Sequence, residues 1–324
     1  MKQNKTLLLG DEAIAQGALD AGISGVYAYP GTPSTEITEY IQASEEARAR
    51  GIHSEWSSNE KTAMEAALGM VYAGRRAMVC MKHVGLNVAA DAFVNAAVTG
   101  VRGGLLVVVA DDPSMHSSQN EQDSRYYADF AGIPVLEPRN QQEAYAMVGY
   151  ALDLSEKFCL PVLMRITTRL AHSRADVVRG PVRAENALSL PDEHSQFTLL
   201  PANARRNHQQ LMNLQPQLLA EAESSPFNEL KSAPDKSVGI VAAGLAGNYL
   251  DEVHDAEHPV LTIRQYPAPA GLIRALYGQC ESLLILEEGA PYLEKQLAGV
   301  LGTSKPVRGR CDGSLPRTGE LTPD

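Results

Sequence analysis

Apolar and polar positions alternate along the first 180 residues with two different periods. Short runs rich in β-branched and other apolar residues predict strands at 26–29, 77–81, 105–110, 134–137 and 161–166. Longer stretches between these runs predict helices at 34–50, 60–73, 88–99 and 140–158. Strands that alternate with helices favour a parallel sheet covered on both faces. We therefore expect an α/β domain over residues 1–180.

The pattern changes at residue 181 and resumes at residue 236. Residues 181–235 are polar, are interrupted repeatedly by proline, and contain one helix-like segment at about 202–224. This composition predicts a connecting segment that wraps the surface. Residues 236–305 predict a smaller α/β domain, and residues 306–324, rich in Gly, Pro and Arg, predict a linker. The strands of the smaller domain are expected at 238–243, 260–263 and 282–287, and its helices at 246–256, 270–279 and 291–301.

Charge and cysteine content exclude several classes of protein. The formal net charge is −11 and the arginines are scattered, so no basic stripe is available to neutralise nucleic-acid phosphates. None of the four cysteines lies within four residues of another, so we expect no metal site of the CxxC type and no disulfide framework. No run of about 18 apolar residues is present. We expect a cytoplasmic protein that binds neither nucleic acid nor a membrane.

Ligands of open α/β sheets gather beyond the carboxyl ends of the strands, which directs attention to four segments of the first domain. The first is Tyr29–Ser34, where Thr32 could cap the next helix and leave free N–H groups for an anion. The second is 57–67, where Glu60 opens a helix of small and apolar residues. A glutamate there usually only offsets the helix dipole, although a buried carboxyl group could also exchange a proton with a heterocycle nitrogen. Spacing alone favours the simpler interpretation of both segments.

The other two segments carry weaker signals. His83 and Asn87 follow the strand at 77–81, and a lone histidine in a loop is most often a structural hydrogen-bonding group. The polar run 111–125 ends at Arg125, which could grip a carboxylate through two parallel hydrogen bonds. Loops of this length are often functional, but a plain surface loop is the alternative. In the second domain, Gly244–Gly247 is a fragment of a phosphate-binding pattern that a tight turn explains equally well.

Taken together, these segments resemble a known family. They are similar to the alpha chains of the thiamine-diphosphate-dependent 2-oxoacid:ferredoxin oxidoreductases, most closely to those of the indolepyruvate type. The likeness covers essentially the whole chain, and its most specific segments are YPGTPSTEI (29–37), SSNEKTAMEAALGMVYAGRRA (57–77), MKHVGLNVAAD (81–91), VVVADDPSMHSSQNEQDSR (107–125), FCLPVLMRITTRLAHSR (158–174), PANARRNH (201–208), LEEGAPYLEKQ (286–296) and GSLPRTGELTPD (313–324).

The resemblance implies a role for each candidate residue. The first domain would be the pyrimidine-binding domain of a thiamine-diphosphate fold, and the second would be of the transketolase C-terminal type. Glu60 would be the catalytic residue that hydrogen-bonds the aminopyrimidine ring of the cofactor. Thr32, His83 and Asn87 would also line the cofactor, with Thr32 beside the substrate as well. Arg125 would grip the carboxylate of the 2-oxoacid.

The resemblance also implies a reaction and a set of partners. An arylpyruvate such as indolepyruvate would be decarboxylated oxidatively to an acyl-CoA, with coenzyme A and a ferredoxin-type acceptor as further reactants. Alpha chains of this family continue into a pyrophosphate-binding domain and an iron–sulfur region, and this sequence ends before both. Magnesium and the clusters are therefore expected on missing domains or on partners, and the chain is either a piece of a longer protein or a split subunit. We expect a homodimer or a complex with a subunit that carries the pyrophosphate domain.

Two other interpretations remain open. The first is a non-catalytic assembly or regulatory subunit with the same fold, and the presence of Glu60, Thr32 and Arg125 together speaks against it. The second is an ordinary nucleotide-binding α/β protein, which the lack of a full GxGxxG pattern makes less attractive.

Overall fold

The computed structural model describes residues 5–253, 257–300, 305–316 and 320–322. Its strands are β1 (Lys5–Leu9), β2 (Gly25–Ala28), β3 (His53–Trp56), β4 (Ala77–Lys82), β5 (Leu105–Asp111), β6 (Val135–Leu136), β7 (Val162–Thr167), β8 (Arg174–Val178), β9 (Glu229–Lys231), β10 (Val238–Ala243), β11 (Val260–Ile263), β12 (Gln265–Tyr266), β13 (Ser282–Leu286) and β14 (Val307–Arg308). Its α-helices are α1 (Gly10–Asp20), α2 (Thr35–Ala43), α3 (Glu45–Arg50), α4 (Glu60–Tyr72), α5 (His83–Thr99), α6 (Arg125–Ala131), α7 (Gln141–Phe158), α8 (Thr168–His172), α9 (Pro201–Glu223), α10 (Ala246–Val253), α11 (Ala270–Gln279) and α12 (Tyr292–Val300).

The larger sheet has seven strands in the order β12-β6-β7-β5-β4-β2-β3. Its neighbouring strands are parallel, except that β12 runs antiparallel to β6 at one edge. Every residue of the central strands β5 and β7 is buried, as is typical of a parallel sheet with helices on both faces. The prediction of an α/β fold is confirmed. Among the described residues, no helix is both long and apolar enough to cross a membrane.

A smaller sheet follows, with its strands in the order β14-β13-β10-β11-β9. Strands β10, β11, β13 and β14 are parallel, and β9 closes one edge in the antiparallel direction. The two sheets interlock, because β12 leaves the smaller unit and pairs with β6 of the larger sheet. The buried apolar side chains of the two units consequently form one continuous core.

Each strand predicted for residues 1–180 lies within one residue of an observed strand. The helix predicted over 34–50 is two helices, because Ser44 is extended (φ −70°, ψ 124°) and caps α3 by accepting a hydrogen bond from the Ala47 amide at 3.2 Å. The helix predicted over 88–99 begins at His83, which places His83 and Asn87 on a helix rather than in a loop. Strand β3 escaped prediction because it is a polar edge strand.

The second half of the chain follows the predicted alternation, with three differences. Helix α9 buries Leu211, Leu218 and Ala222, so the segment 181–235 contributes to the core as well as to the surface. Strand β14 extends the smaller sheet past residue 305, into the predicted linker 306–324. Residues 254–256 and 301, at the ends of two predicted helices, and residues 317–319 and 323–324 of the predicted linker lie outside the described residues. The domain boundaries at 180, 235 and 305 stay predictions.

Arg165 on β7 is fully buried and binds acidic side chains from two neighbouring segments. Its Nε lies 2.5 Å from Oδ2 of Asp111 at the end of β5, and its Nη1 bonds Glu137 just after β6. Nη2 donates to the Glu288 carbonyl oxygen of the smaller unit at 3.0 Å. A guanidinium group without exposure to water is tolerated only when its charge and its N–H groups are matched in this way.

Arg125 at the start of α6 completes this buried ion network, and we use that name for Arg125, Arg165 and their acidic partners. Its guanidinium bonds Asp123 at 2.5 Å and Glu287 of the smaller unit at 3.0 Å. It also lies over the Tyr292 ring, 4.9 Å from the centroid. Burial alone would lower the pKa of Arg125, but the adjacent carboxylates, Asp123 first among them, raise it well above its usual value. The network therefore stays charged and joins the two units.

We expect Arg165→Met to lower the free energy of unfolding by about 3–5 kcal/mol, because it leaves Asp111 and Glu137 buried without their cation. Lys157→Ala is the matched control: it removes a pair with Glu221 in which the lysine side chain is 55% exposed, and it should cost under about 1 kcal/mol. Denaturant titration measures both values. Equal losses in the two variants would show that the buried ion network does not stabilise the fold.

Glu288 should make stability depend on pH. Burial raises the pKa of this carboxyl group from 4.5 to about 7, and the hydrogen bond that it accepts from the Leu321 amide offsets the effect only in part. The folded state therefore binds the proton more tightly than the unfolded chain does, so this group lowers the free energy of unfolding as the pH rises from about 4.5 to 7. Relative to the wild type, Glu288→Gln should gain stability through this window and hold a constant advantage above it. Denaturation between pH 4.5 and 8 tests the slope, with the exposed Glu65→Gln as the control that should show none; a pH-independent difference for Glu288→Gln would contradict the assignment.

Candidate functional site

The carboxyl ends of the parallel strands bring the four predicted segments to one edge of the larger sheet. Strand β2 leads into Tyr29–Ser34, β3 into Ser57–Glu60, β4 into the first turn of α5, and β5 into the segment that starts at Asp112. Because β3, β2, β4 and β5 are consecutive in the sheet, these segments are spatial neighbours although up to 80 residues separate them in sequence.

Glu60 is the first residue of α4 and its side chain is turned inward. The preceding residue, Asn59, caps the helix by accepting a hydrogen bond from the Thr62 amide at 2.9 Å. Glu60 is only 9% exposed, and no hydrogen-bonding or ionic partner of its carboxylate occurs among the described residues. The structure thus places a nearly buried carboxylate at the sheet edge and leaves its oxygens unused.

The close contact between α4 and α5 depends on Gly85. A Cβ atom on Gly85 would lie 2.6 Å from Oε1 and 2.9 Å from Cδ of Glu60, so a larger residue could stay there only if the glutamate moved. The Glu60 carboxylate rests directly on the main chain of the first turn of α5. No signal in the sequence singled out Gly85, although a glycine two residues after a strand, beside a candidate site, is typical of close main-chain approach.

His83 and Asn87 lie one turn apart on α5 and differ in environment. His83 is 1% exposed; its Nε2 lies 3.1 Å from the Asn120 carbonyl oxygen, and its Nδ1 is buried without a partner in the described part of the chain. Asn87 is exposed, and its Oδ1 accepts a hydrogen bond of 2.6 Å from the Tyr127 hydroxyl. His83 therefore offers an unused ring nitrogen near Gly85, whereas Asn87 lies at the outer rim.

Thr32 does not cap the helix that follows it, contrary to our prediction. Helix α2 begins at Thr35 with Ser34 in the N-cap position, and Thr32 lies exposed in the preceding turn. The carbonyl oxygen of Thr32 accepts a hydrogen bond of 3.4 Å from the Ser117 hydroxyl. Lys82 donates to the Ser117 carbonyl oxygen at 3.0 Å, so the turn lies against the segment that follows β5. The Thr32 side chain remains available to a ligand.

The segment after β5 is ordered by Asp112. Its carboxylate accepts hydrogen bonds from the Ser118 hydroxyl and the Thr168 hydroxyl, both at 2.6 Å, and from the Ser117 amide at 2.9 Å. Burial opposes ionisation of Asp112, but these bonds, that of Ser118 foremost, lower its pKa. The polar run predicted as a long loop is therefore held in place on the sheet edge.

The placement of Arg125 contradicts its predicted role as the clamp for a substrate carboxylate. Its side chain is fully buried, and its N–H groups are already taken by Asp123, Glu287 and the carbonyl oxygens of residues 288 and 290. The physical reason is that Arg125 begins a helix and turns under the loop, where the acidic groups of the buried ion network neutralise it. An arginine at the end of a polar run carries no sequence signal that distinguishes these two fates.

Large apolar side chains are exposed around the same sheet edge. Phe130 on α6 is 79% exposed, and Val88 on α5 is 49% exposed. The others are Tyr29, Met115 and Tyr126. On α4, Ala66 and Gly69 are exposed as well, and nothing lies within 4 Å of the position that a Cβ atom on Gly69 would take. Apolar patches of this kind mark a surface that another molecule or chain covers.

The family model described as "Pyruvate flavodoxin/ferredoxin oxidoreductase, thiamine diP-bdg" matches residues 16–226. The chain belongs to this family. The matched range includes the edge described above, from the Tyr29–Ser34 turn to the segment ordered by Asp112. The predicted family is confirmed, and so is thiamine diphosphate as the cofactor class.

Curated relatives agree with this assignment. The chain is 42% identical over 334 residues to the indolepyruvate oxidoreductase subunit IorA of Thermococcus kodakarensis, covering 98% of the chain and 51% of that protein. It is 40% identical to the subunit of the same name of Methanothermobacter thermautotrophicus, covering 99% of the chain and 53% of that protein. The chain thus spans about half the length of these curated relatives.

Solved structures show the same fold at low sequence identity. A 2-oxoglutarate:ferredoxin oxidoreductase from Magnetococcus marinus, solved with 2-oxoglutarate, coenzyme A and succinyl-CoA bound, matches with a TM-score of 0.79 at 17% identity, over 99% of this chain and 64% of that one. A split gene transketolase, described as an inactive β4 tetramer, matches with a TM-score of 0.56 at 14% identity, over 93% of this chain and 88% of that one. Both likenesses support the predicted fold class.

The residues at the sheet edge fit the aminopyrimidine half of thiamine diphosphate. That ring presents nitrogen donors and acceptors, and the edge offers two nearly buried groups without a complete set of partners, the Glu60 carboxylate and Nδ1 of His83. Buried polar groups normally find partners, and a ligand supplies them where the protein does not.

We expect Gly85→Ala to displace the Glu60 side chain, because the new Cβ atom would overlap its carboxylate. Overpacking of this kind typically costs about 1–3 kcal/mol of stability. Gly278→Ala is the control: this exposed helical glycine has nothing within 4 Å of its Cβ position, and the change should raise stability by up to about 1 kcal/mol. A crystal structure of Gly85→Ala with Glu60 in its original position and unchanged stability would refute the close contact.

Proposed function

We propose that this chain supplies the pyrimidine-binding half of a thiamine-diphosphate site in a 2-oxoacid oxidoreductase of the indolepyruvate type. The observation that carries the proposal is the Glu60 carboxylate, nearly buried, without a partner in the described structure, and seated on Gly85 at the carboxyl edge of the sheet. The reaction proposed is oxidative decarboxylation of an arylpyruvate to an acyl-CoA. The names and the 40–42% identity of the curated relatives support this substrate class.

Glu60 would act on a proton of the cofactor. Its side chain would hydrogen-bond a ring nitrogen of the aminopyrimidine, and its Oε atoms could hold the proton that this nitrogen gains or loses. The near absence of water strengthens such a bond, because the effective dielectric constant around a buried carboxylate is low. Thiamine diphosphate supplies the carbon chemistry of decarboxylation when bound, and the protein contributes position, polarity and exclusion of water.

The remaining predicted residues are proposed in supporting roles. His83 would present Nδ1 to the cofactor from the first turn of α5, and Asn87 would lie at the rim of the cofactor site. Thr32, exposed in the turn after β2, would contact cofactor and substrate. Arg125 has no part in this proposal, because the buried ion network occupies its guanidinium.

The other components are proposed to come from residues beyond these 324. The diphosphate group and its magnesium ion, the iron–sulfur clusters and the ferredoxin-type acceptor have no counterpart in the site described above. The exposed apolar side chains at the sheet edge support a partner surface there, formed by a second copy or by a subunit that carries the pyrophosphate domain. Coenzyme A as a reactant and a cytoplasmic location stay predictions.

In the assembled enzyme that contains these residues, Glu60→Gln should lower activity by about 10²–10⁴-fold, the usual contribution of a general acid–base group. The amide keeps the shape of the side chain, so fold and cofactor affinity should stay close to those of the wild type. NMR measurement of proton exchange at C2 of the bound cofactor isolates the step.

Glu65→Gln is the matched control on the same helix. Glu65 is 55% exposed and lies 3.8 Å from Lys61, so its replacement should leave the exchange rate nearly unchanged. Full exchange activity in Glu60→Gln would overturn the catalytic role, and the non-catalytic assembly subunit would then be the better interpretation.

A further inference from the structure

Three helices of the larger unit bring a mixed set of oxygen and nitrogen donors together, away from Glu60. Asp11 lies in the first turn of α1, Glu36 in the first turn of α2, and His172 at the end of α8. One ligand atom from each lies within 4.8 Å of the other two. Up to 161 residues separate these side chains in sequence, so the fold alone assembles the cluster.

The Asp11 carboxylate is not explained by anything else in the fold. The residue is 0% exposed, and neither Oδ1 nor Oδ2 has a hydrogen-bond partner in the described residues. Oε2 of Glu36 is also buried and unpartnered within that part of the chain. An ionised carboxylate is very costly to bury without a cation or hydrogen-bond donors, and a second acidic group beside it increases the cost.

The position of Asp11 is enforced by packing. A Cβ atom on Gly10 would lie 2.2 Å from the Leu170 carbonyl oxygen, so the start of α1 is pressed against α8. Since α8 also carries His172, this contact holds aspartate and histidine on neighbouring helices with little freedom to separate. Such a rigid arrangement favours a ligand that fits between the donors.

We propose that Asp11, Glu36 and His172 bind one divalent transition-metal ion of the zinc type, which fastens α1, α2 and α8 together. Nε2 of His172 lies 3.5 Å from Oε1 of Glu36. Two ligands at about 2.1 Å from a tetrahedral ion stand roughly 3.4 Å apart, so this separation suits adjacent ligands. Two carboxylates and a neutral imidazole balance the 2+ charge.

The donor set and its exposure narrow the kind of ion and the kind of site. Imidazole together with carboxylates suits Zn²⁺, Mn²⁺ or Fe²⁺, whereas Mg²⁺ and Ca²⁺ prefer oxygen ligands alone. Asp11 forms the closed inner side, while the side chains of Glu36 and His172 are 35% and 36% exposed and give an ion access from solvent. The remaining coordination positions would hold water. Because α2 follows the Tyr29–Ser34 turn, the ion would also stiffen one wall of the candidate site.

The test is Zn²⁺ binding to the purified metal-free protein, followed by calorimetry and by metal analysis after gel filtration. We expect one Zn²⁺ per chain that competes with the chelator, and a rise in melting temperature of about 5 °C at a hundredfold excess over the dissociation constant. Asp11→Asn keeps shape and removes charge, and His172→Ala removes an accessible donor. Each should weaken binding at least tenfold and abolish the thermal shift.

His208→Ala is the matched control, since it removes an exposed histidine on α9 and should leave binding unchanged. Saturable 1:1 binding that is lost in both site variants but kept in the control supports the proposal. No stoichiometric binding, or binding equal in all variants, overturns it and leaves Asp11 and Glu36 as a carboxyl pair that shares a proton. None of these measurements depends on thiamine chemistry, so the outcome is separate from that of the proposed function.

Discussion

Two arginines without contact to water hold this molecule together, and much of the rest of the structure depends on how their charge is matched. Arg165 ties the ends of β5 and β6 to the larger sheet, and Arg125 reaches from the start of α6 into the smaller unit. Both donate to the same carbonyl oxygen, that of Glu288. Removing any one carboxylate or guanidinium would leave an unmatched charge in a low-dielectric interior, so the members of the network constrain one another.

This constraint also determines which charged groups remain available for chemistry. Asp123 lies against both guanidinium groups, and despite its burial its pKa is lowered, so it is committed as their counter-ion. Burial raises the pKa of Asp111 and Glu287 in spite of the same arginines. Glu60, by contrast, is excluded from the network and meets only the main chain of Gly85. The architecture thus neutralises the charges that join the units and leaves one carboxylate at the sheet edge without a protein partner.

The close packing of α4 on α5 explains how a carboxylate can be both buried and available. Alanines at positions 63 and 67 let α4 approach the core, and the absence of a side chain at Gly85 creates the space that Glu60 fills. The outer faces of the same helices carry exposed small and apolar residues, including Ala66, Gly69 and Val88. Surface of this kind is complete only when something covers it, which agrees with a site shared between chains.

The amino-acid sequence by itself determined the α/β class, nearly all the strands of the larger sheet, and the segments that form the site. Hydrophobic period is a local property, and the segments that follow parallel strands must gather at one edge. It also singled out Glu60, because a carboxylate that opens a helix of small residues is visible in a short window of sequence.

Tertiary structure alone decided the fate of Arg125, the contact between Glu60 and Gly85, and the meeting of Asp11, Glu36 and His172. Each depends on which distant groups surround a side chain, and an arginine after a polar run reads the same whether its partners are a substrate or a buried glutamate 162 residues away. The helix that begins at His83 was placed late for a related reason. Its first turn is stabilised by packing against Glu60, and that contact does not exist until the sheet has brought the two strands together.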